Sequence, residues 1–81
     1  MTTAETIVRI GQAYTKHMYD GTYGQQREGQ AFFNAVHDVR PDLANLYRGT
    51  ELDPFYIDSR IRAFSDKIEE HLKAEEDGGW A

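Results

Sequence analysis

The chain has 81 residues, a formal net charge of −5 and no cysteine. A chain of this length forms one small domain that buries about 60–65% of its surface, so it excludes a multidomain enzyme and leaves little volume for a deep cofactor pocket. The lack of cysteine excludes disulfides, thiolate zinc sites and a nucleophilic thiol. Apolar runs are too short to span a bilayer, and the N-terminus lacks the basic and apolar regions of a secretory signal. We therefore expect a cytoplasmic protein with no cofactor.

The negative charge is concentrated in the C-terminal part of the chain. Residues 51–81 hold nine acidic and four basic side chains, which accounts for the whole net charge of −5. A net-negative field repels a phosphate backbone, because nucleic-acid affinity comes mostly from cationic side chains. The charge pattern therefore disfavours nucleic-acid binding, and its simplest role is solubility.

The first predicted helix covers residues 3–19. Thr2 and Glu5 have the spacing of a capping box, in which each side chain accepts a hydrogen bond from the other residue's backbone N–H. The helical spacing of four apolar residues predicts one buried face, made of Ile7, Ile10, Tyr14 and Met18. Asp20 and Gly21 provide a stop signal.

The second predicted helix covers residues 25–39, and its buried face is predicted to contain Phe32, Ala35, Val36 and Val39. Phe33 lies about 100° around the helix from Phe32, so we expect it to be at least partly exposed. Gly29 lies inside this helix, where glycine costs about 0.5–1 kcal/mol relative to alanine. This cost predicts that another backbone or ring approaches Gly29 closely.

Two further helices complete the prediction. A short one follows Pro41, with Leu43, Leu46 and Tyr47 on its apolar face. The last covers about residues 59–74, with an apolar stripe of Ile61, Phe64, Ile68 and Leu72. No segment shows the alternation of a strand. The predicted fold is an all-α, single-domain bundle of three principal helices and one short helix in residues 1–74, followed by a flexible acidic tail, residues 75–81.

Catalytic and metal-binding patterns are weak. The three histidines lack the i, i+4 spacing of a helical zinc site, and we expect them at the surface or its boundary: His17, His37 and His71. Asp53 and Asp58 are the one candidate acid pair. Because each precedes a predicted helical turn, capping of backbone N–H groups is the favoured interpretation, and a small hydrolase using either carboxylate is an alternative.

The ten aromatic residues are many for a chain of this length. Five of them cannot all be buried in so small a core: Tyr23, Phe33, Tyr47, Tyr56 and Trp80. Exposed aromatic rings near arginines are typical of the residues that dominate binding energy at protein interfaces. The predicted partner-binding residues are Phe33, Tyr47, Arg48, Tyr56 and Arg60.

Two motifs in the middle of the chain carry a resemblance. Residues 27–35 read Arg-Glu-Gly-Gln-Ala-Phe-Phe-Asn-Ala, and residues 50–56 read Thr-Glu-Leu-Asp-Pro-Phe-Tyr. Over residues 27–64 the chain resembles small proteins encoded by bacteriophages, prophages and some bacteria. The resemblance implies a phage or prophage origin and a location in the bacterial cytoplasm, and it implies no activity and no catalytic residue. Where those proteins often continue the second motif with two acids, this chain has Ile57 and Asp58, which disfavours a metal site there.

The sequence therefore predicts a non-enzymatic interaction protein that binds and modulates a host or phage protein. The alternative is weak association with nucleic acid through an arginine-bearing face that contains Arg27, Arg40, Arg48, Arg60 and Arg62. Self-association is a further expectation, because a symmetric dimer buries surplus aromatic side chains.

Overall fold

A computed structural model describes residues 2–19 and 26–78 of the chain. This part is all-helical, as predicted, with three long helices and one short one. The elements are α1 (Thr3–Tyr19), α2 (Glu28–Val39), α3 (Pro41–Tyr47), a single 3₁₀ turn (Asp58–Arg60) and α4 (Ile61–Glu76). No helix among the described residues has both the length and the apolar character needed to cross a membrane. The predicted stop at Asp20 and the predicted exposure of Tyr23 and Trp80 concern residues outside this part.

The N-terminus of α1 forms the predicted capping box. The Glu5 backbone N–H donates to Thr2 Oγ1 over 3.1 Å, and the Thr2 N–H donates to Glu5 Oε1 over 3.2 Å. Hydrogen bonding from Thr2 lowers the pKa of Glu5, because each bond favours the charged carboxylate. The box satisfies two N–H groups that the first helical turn leaves without a helical partner.

Phe64 of α4 lies at the centre of the core and is fully buried. Its ring centroid lies 5.9 Å from that of Phe32, 6.0 Å from that of Phe33 and 6.2 Å from that of Tyr47. Further along α4, Ile68 and Leu72 are also buried, as the apolar stripe predicts. Aromatic rings of α2 and α3 therefore meet at one residue of α4.

Phe33 and Tyr47 belong to this core, so the prediction that they lie on an exposed surface is wrong. Phe33 is 2% exposed and Tyr47 9%. Because α2 is covered on more than one side, both of its adjacent phenylalanines find partners: Phe32 contacts Tyr14 of α1, and Phe33 stacks on Phe64. Tyr47 is buried because α3 brings its ring edge-on to Phe64.

Two apolar residues predicted on buried faces are instead exposed. Ile7 of α1 is 41% exposed, and Leu46 of α3 is 54% exposed. Buried positions of α1 include Thr6 and His17, so the buried face of this helix is rotated towards polar residues. The hydrophobic spacing identified the helix but placed the centre of its buried face incorrectly.

Two of the histidines are buried, which contradicts their predicted surface position. His17 Nε2 of α1 lies 2.7 Å from Asp38 Oδ2 of α2, and His71 Nε2 lies 3.4 Å from Glu75 Oε2 within α4. Each imidazole therefore lies in the interior with a carboxylate beside it. A buried polar group requires such partners, because the loss of water is otherwise uncompensated.

The last helix begins two residues later and ends two residues later than predicted. Asp58–Arg60 forms a 3₁₀ turn before Ile61, and α4 continues through Glu76. Glu75 and Glu76, assigned to the tail by the sequence, are fixed by contacts with other elements. Arg40 donates to both carboxylate oxygens of Glu75 over 2.9 Å, and the backbone N–H of Thr3 donates to Glu76 Oε2 over 3.2 Å.

Candidate protein-binding surface

The segment of residues 49–58, here called the docked loop, lies against the first turn of α2. The backbone N–H of Gly29 donates to Asp58 Oδ1 over 3.0 Å. A Cβ atom at Gly29 would overlap the carbonyl oxygen of Pro54 and lie 2.9 Å from Asp58 Oδ1. The predicted close approach at Gly29 is therefore confirmed: glycine is present because the loop backbone occupies the space of a side chain.

The docked loop is also held by its own hydrogen bonds. Asp53 Oδ2 accepts from the Gly49 N–H over 2.7 Å, and Asp53 Oδ1 accepts from the Phe55 N–H over 2.9 Å. Asp53 and Asp58 thus both accept backbone N–H bonds, as the capping interpretation expects. Asp53 caps the turn that follows it, through the Phe55 N–H, whereas Asp58 accepts from the first turn of α2, which precedes it in the chain.

Tyr56 stands out from the docked loop and is 77% exposed, yet its ring is in contact on two sides. The Phe55 ring lies edge-on at 4.8 Å between centroids, and Arg27 Cζ lies 6.0 Å from the Tyr56 centroid. Arg27 Nη2 also donates to the Phe55 carbonyl over 2.6 Å. The result is an exposed aromatic ring that contacts two other side chains of the protein.

The predicted binding residues lie in two layers. Arg48 covers the buried ring of Phe33, with Cζ 5.2 Å from the ring centroid, and Phe33 lies edge-on to Phe55 at 5.7 Å. Arg60 Nη1 donates to the carbonyl of Thr50 in the docked loop over 3.4 Å. The outer layer therefore contains Arg48, Tyr56 and the partly exposed Arg60. The buried layer beneath it contains Phe33 and Tyr47.

Arg27 and Ile57 were absent from the predicted site. Ile57 follows Tyr56 and is 41% exposed, which extends the apolar part of the surface. Arg27 comes immediately before α2 and reaches the docked loop through the two contacts described above. The sequence does contain a signal for Arg27. It lies two residues before Gly29, where the low helix propensity of glycine predicted that another segment packs closely. The surface formed by Arg27, Arg48, Tyr56, Ile57 and Arg60 is called the Tyr56 surface below.

Four of the five arginines of the nucleic-acid alternative contact other groups of the protein, and the fifth, Arg62, is exposed. Arg40 pairs with Asp42 over 2.7 Å and with Glu75 over 2.9 Å, and these two carboxylates raise the pKa of Arg40. Arg27, Arg48 and Arg60 donate to carbonyl or amide oxygens. Phosphate binding requires guanidinium groups that displace counterions along a backbone, so the observed contacts give no support to this alternative.

Among residues 2–19 and 26–78, no group of three or more histidine, aspartate or glutamate side chains has the arrangement of a metal site. No family model matches the chain, and neither a curated protein nor a solved structure shows significant similarity to it. The resemblance to small phage proteins therefore stays a prediction from two motifs.

Proposed function

We propose that this chain is a non-enzymatic binding protein of phage type, which uses the Tyr56 surface to capture and modulate a host or phage protein in the bacterial cytoplasm. The observation that carries the proposal is the state of Tyr56: its ring is 77% exposed and is nevertheless positioned by Phe55 and Arg27. Tyrosine and arginine are among the residues that contribute most to binding energy at protein interfaces.

The rigidity of the surface supports binding as its role. Association costs about 0.5–1.5 kcal/mol for each flexible side chain that becomes ordered. The Tyr56 ring and the Arg27 guanidinium are already restrained by contacts with the docked loop, so much of that cost has been met during folding. The adjacent Ile57 supplies apolar area, and the guanidinium groups of Arg48 and Arg60 flank the loop with hydrogen-bond donors.

Binding through the docked loop is supported by the position of the two resemblance motifs in the fold. The first motif contains Arg27 and Gly29, and the second contains Pro54, Phe55 and Tyr56. Arg27 and Gly29 make direct contacts with the second motif. The two motifs thus build a single feature, the docked loop on α2, and the proposal assigns binding to that feature.

Affinity capture from bacterial cells tests the proposal with two variants at exposed side chains. Tyr56→Ala removes the central ring, whereas Leu46→Ala truncates an apolar side chain that is also more than half exposed but lies on α3. We expect the wild type and Leu46→Ala to retain the same bacterial or phage protein and Tyr56→Ala to lose it. Equal capture by all three proteins would contradict the proposed surface.

A further inference from the structure

A cleft between α1 and α4 lies outside the Tyr56 surface and uses none of its residues. Its apolar walls include Ile7 of α1, Phe32 of α2 and Ile68 of α4, and its volume is about 180 Å³. An apolar cavity of about 150 Å³ in a protein holds benzene. The cleft therefore has the size for one six-membered ring that carries a small substituent.

Gly11 of α1 also borders the cleft and leaves part of it unfilled. Glycine inside a helix is unfavourable relative to alanine, and at Gly29 the close approach of Pro54 accounts for it. A Cβ atom at Gly11, by contrast, would meet no further part of the described chain within 4 Å. Because no packing contact within residues 2–19 and 26–78 requires glycine at this position, the space that Gly11 leaves is available to a second molecule.

Phe32 makes the cleft suitable for an aromatic ring. Its own ring lies edge-on to Tyr14 at 5.7 Å and to Phe64 at 5.9 Å between centroids. The Phe32 side chain is only partly buried, and it borders the cleft. A bound aromatic ring gains contact with Phe32 in addition to the burial of apolar area, because aromatic pairs contribute beyond the area they bury. It also covers Ile7, which is 41% exposed.

Two polar residues of α4, one helical turn apart, complete the lining of the cleft: Ser65 and Glu69. Glu69 is the charged residue of this lining, and its Oε1 lies 3.3 Å from Lys73 Nζ on the same helix, outside the cleft. An ionised carboxylate offers about four acceptor positions, so the pair with Lys73 leaves others for a bound molecule. The lining therefore favours a neutral molecule with a hydrogen-bond donor over a molecule with a carboxylate of its own.

We propose that this cleft is a binding site for a small neutral aromatic compound that carries one hydroxyl or amino group. The ring lies in the apolar part of the cleft against Phe32 and Ile68, and the substituent donates a hydrogen bond to the Glu69 carboxylate beside Ser65. The site shares no residue with the Tyr56 surface, so this proposal and the proposed function can each fail without the other.

Titration of the isotope-labelled full chain with phenol, toluene and benzoate, followed by NMR of the backbone amides, tests the site. Toluene has the same ring without a donor, and benzoate replaces the donor by a carboxylate. We expect phenol to cause saturable shifts at Gly11, Phe32 and Ser65, toluene to bind about tenfold more weakly, and benzoate to give no saturable shift. A cleft that phenol leaves unchanged, with its space free for a side chain of another protein, contradicts the proposal, as does equal binding of all three compounds.

A pair of leucine variants tests the location. Gly11→Leu adds a side chain at the border of the cleft, whereas Ala4→Leu adds the same side chain at an exposed position of α1 that does not line it. We expect Gly11→Leu to raise the phenol Kd at least about tenfold and Ala4→Leu to leave it unchanged. Circular dichroism confirms that both variants keep their helices. If Gly11→Leu binds phenol as the wild type does, the ligand lies elsewhere and the proposal is wrong.

Glu69→Gln tests the selectivity against anions. The amide keeps the shape of the side chain and an acceptor oxygen but removes the negative charge. We expect the phenol Kd to change by less than about threefold and benzoate to bind with saturable shifts at the same amides, because no like charge opposes it. If the variant still excludes benzoate, Glu69 does not select the ligand, and the proposed arrangement is overturned.

Discussion

Replacing Gly29 by alanine tests the packing on which the Tyr56 surface depends. The added methyl group overlaps the Pro54 carbonyl oxygen, so the docked loop must move away from α2. Movement breaks the Gly29–Asp58 hydrogen bond, and a hydrogen bond to a charged group contributes about 1.5–3 kcal/mol. The contact between the Phe33 and Phe55 rings weakens as well, and such pairs contribute about 0.5–1.5 kcal/mol.

The higher helix propensity of alanine offsets about 1 kcal/mol of this loss. We therefore expect Gly29→Ala to lower the free energy of unfolding by about 1–3 kcal/mol, measured by urea denaturation followed by circular dichroism. In a domain of this size, each 1 kcal/mol corresponds to a decrease of about 4–8 °C in the melting temperature.

Gly11→Ala is the matched control. Gly11 also lies inside a helix, but a Cβ atom there meets no other atom within 4 Å. The substitution is expected to raise the free energy of unfolding by about 0.5–1 kcal/mol, because alanine favours the helix. The two substitutions are chemically identical and have opposite expected signs. If Gly29→Ala stabilises the protein as Gly11→Ala does, the described contact between the loop and α2 is wrong.

Three further variants separate the core, the surface and the ionic contacts. Phe64→Ala is expected to cost about 3–5 kcal/mol in urea denaturation, because it removes the ring at the centre of the core; a cost below about 1 kcal/mol would contradict the aromatic cluster. Tyr56→Ala is expected to change the same quantity by no more than about 0.5 kcal/mol, and a larger loss would assign Tyr56 to the core. Arg40 lowers the pKa of both Asp42 and Glu75, so their contribution to stability is present above the ordinary pKa values and is lost as the pH falls through the lowered ones. Arg40→Gln should therefore give a flatter decrease of stability with acid than the wild type, and parallel curves would show that these pairs contribute nothing.

The helical periodicity of the sequence was enough to predict the class of the fold and the approximate range of each helix. It was not enough to orient every helix, because periodicity records which residues share a face and does not record how many neighbours cover the helix. For α2, partners on more than one side bury both Phe32 and Phe33. For α1, the buried face contains His17 and Thr6, and Ile7 lies outside it. Burial of His17 depends on Asp38 of α2, and this contact between helices cannot be read from local periodicity.

The candidate site was predictable where a residue is unfavourable in its predicted helix and tertiary packing must compensate for it. Gly29 is the clearest example, since glycine in a helix predicts a close approach and the structure places Pro54 there. The identity of the approaching segment depends on a contact across more than twenty residues, which the local sequence does not contain. Burial of Tyr47 likewise depends on how α3 meets α4. Tyr56 was assigned to the surface correctly because so small a core cannot bury every aromatic side chain of the chain.

Site-specific photo-crosslinking at position 56 tests the central claim, that the exposed and fixed Tyr56 ring contacts a partner protein. A photoreactive phenylalanine analogue replaces Tyr56 in one sample and Leu46 in a second, and both proteins are irradiated in bacterial cells. The account predicts one defined crosslinked protein from position 56 and none from position 46, with the yield reduced by Gly29→Ala because the docked loop is displaced. Identical products from both positions, or no product from position 56, would contradict it.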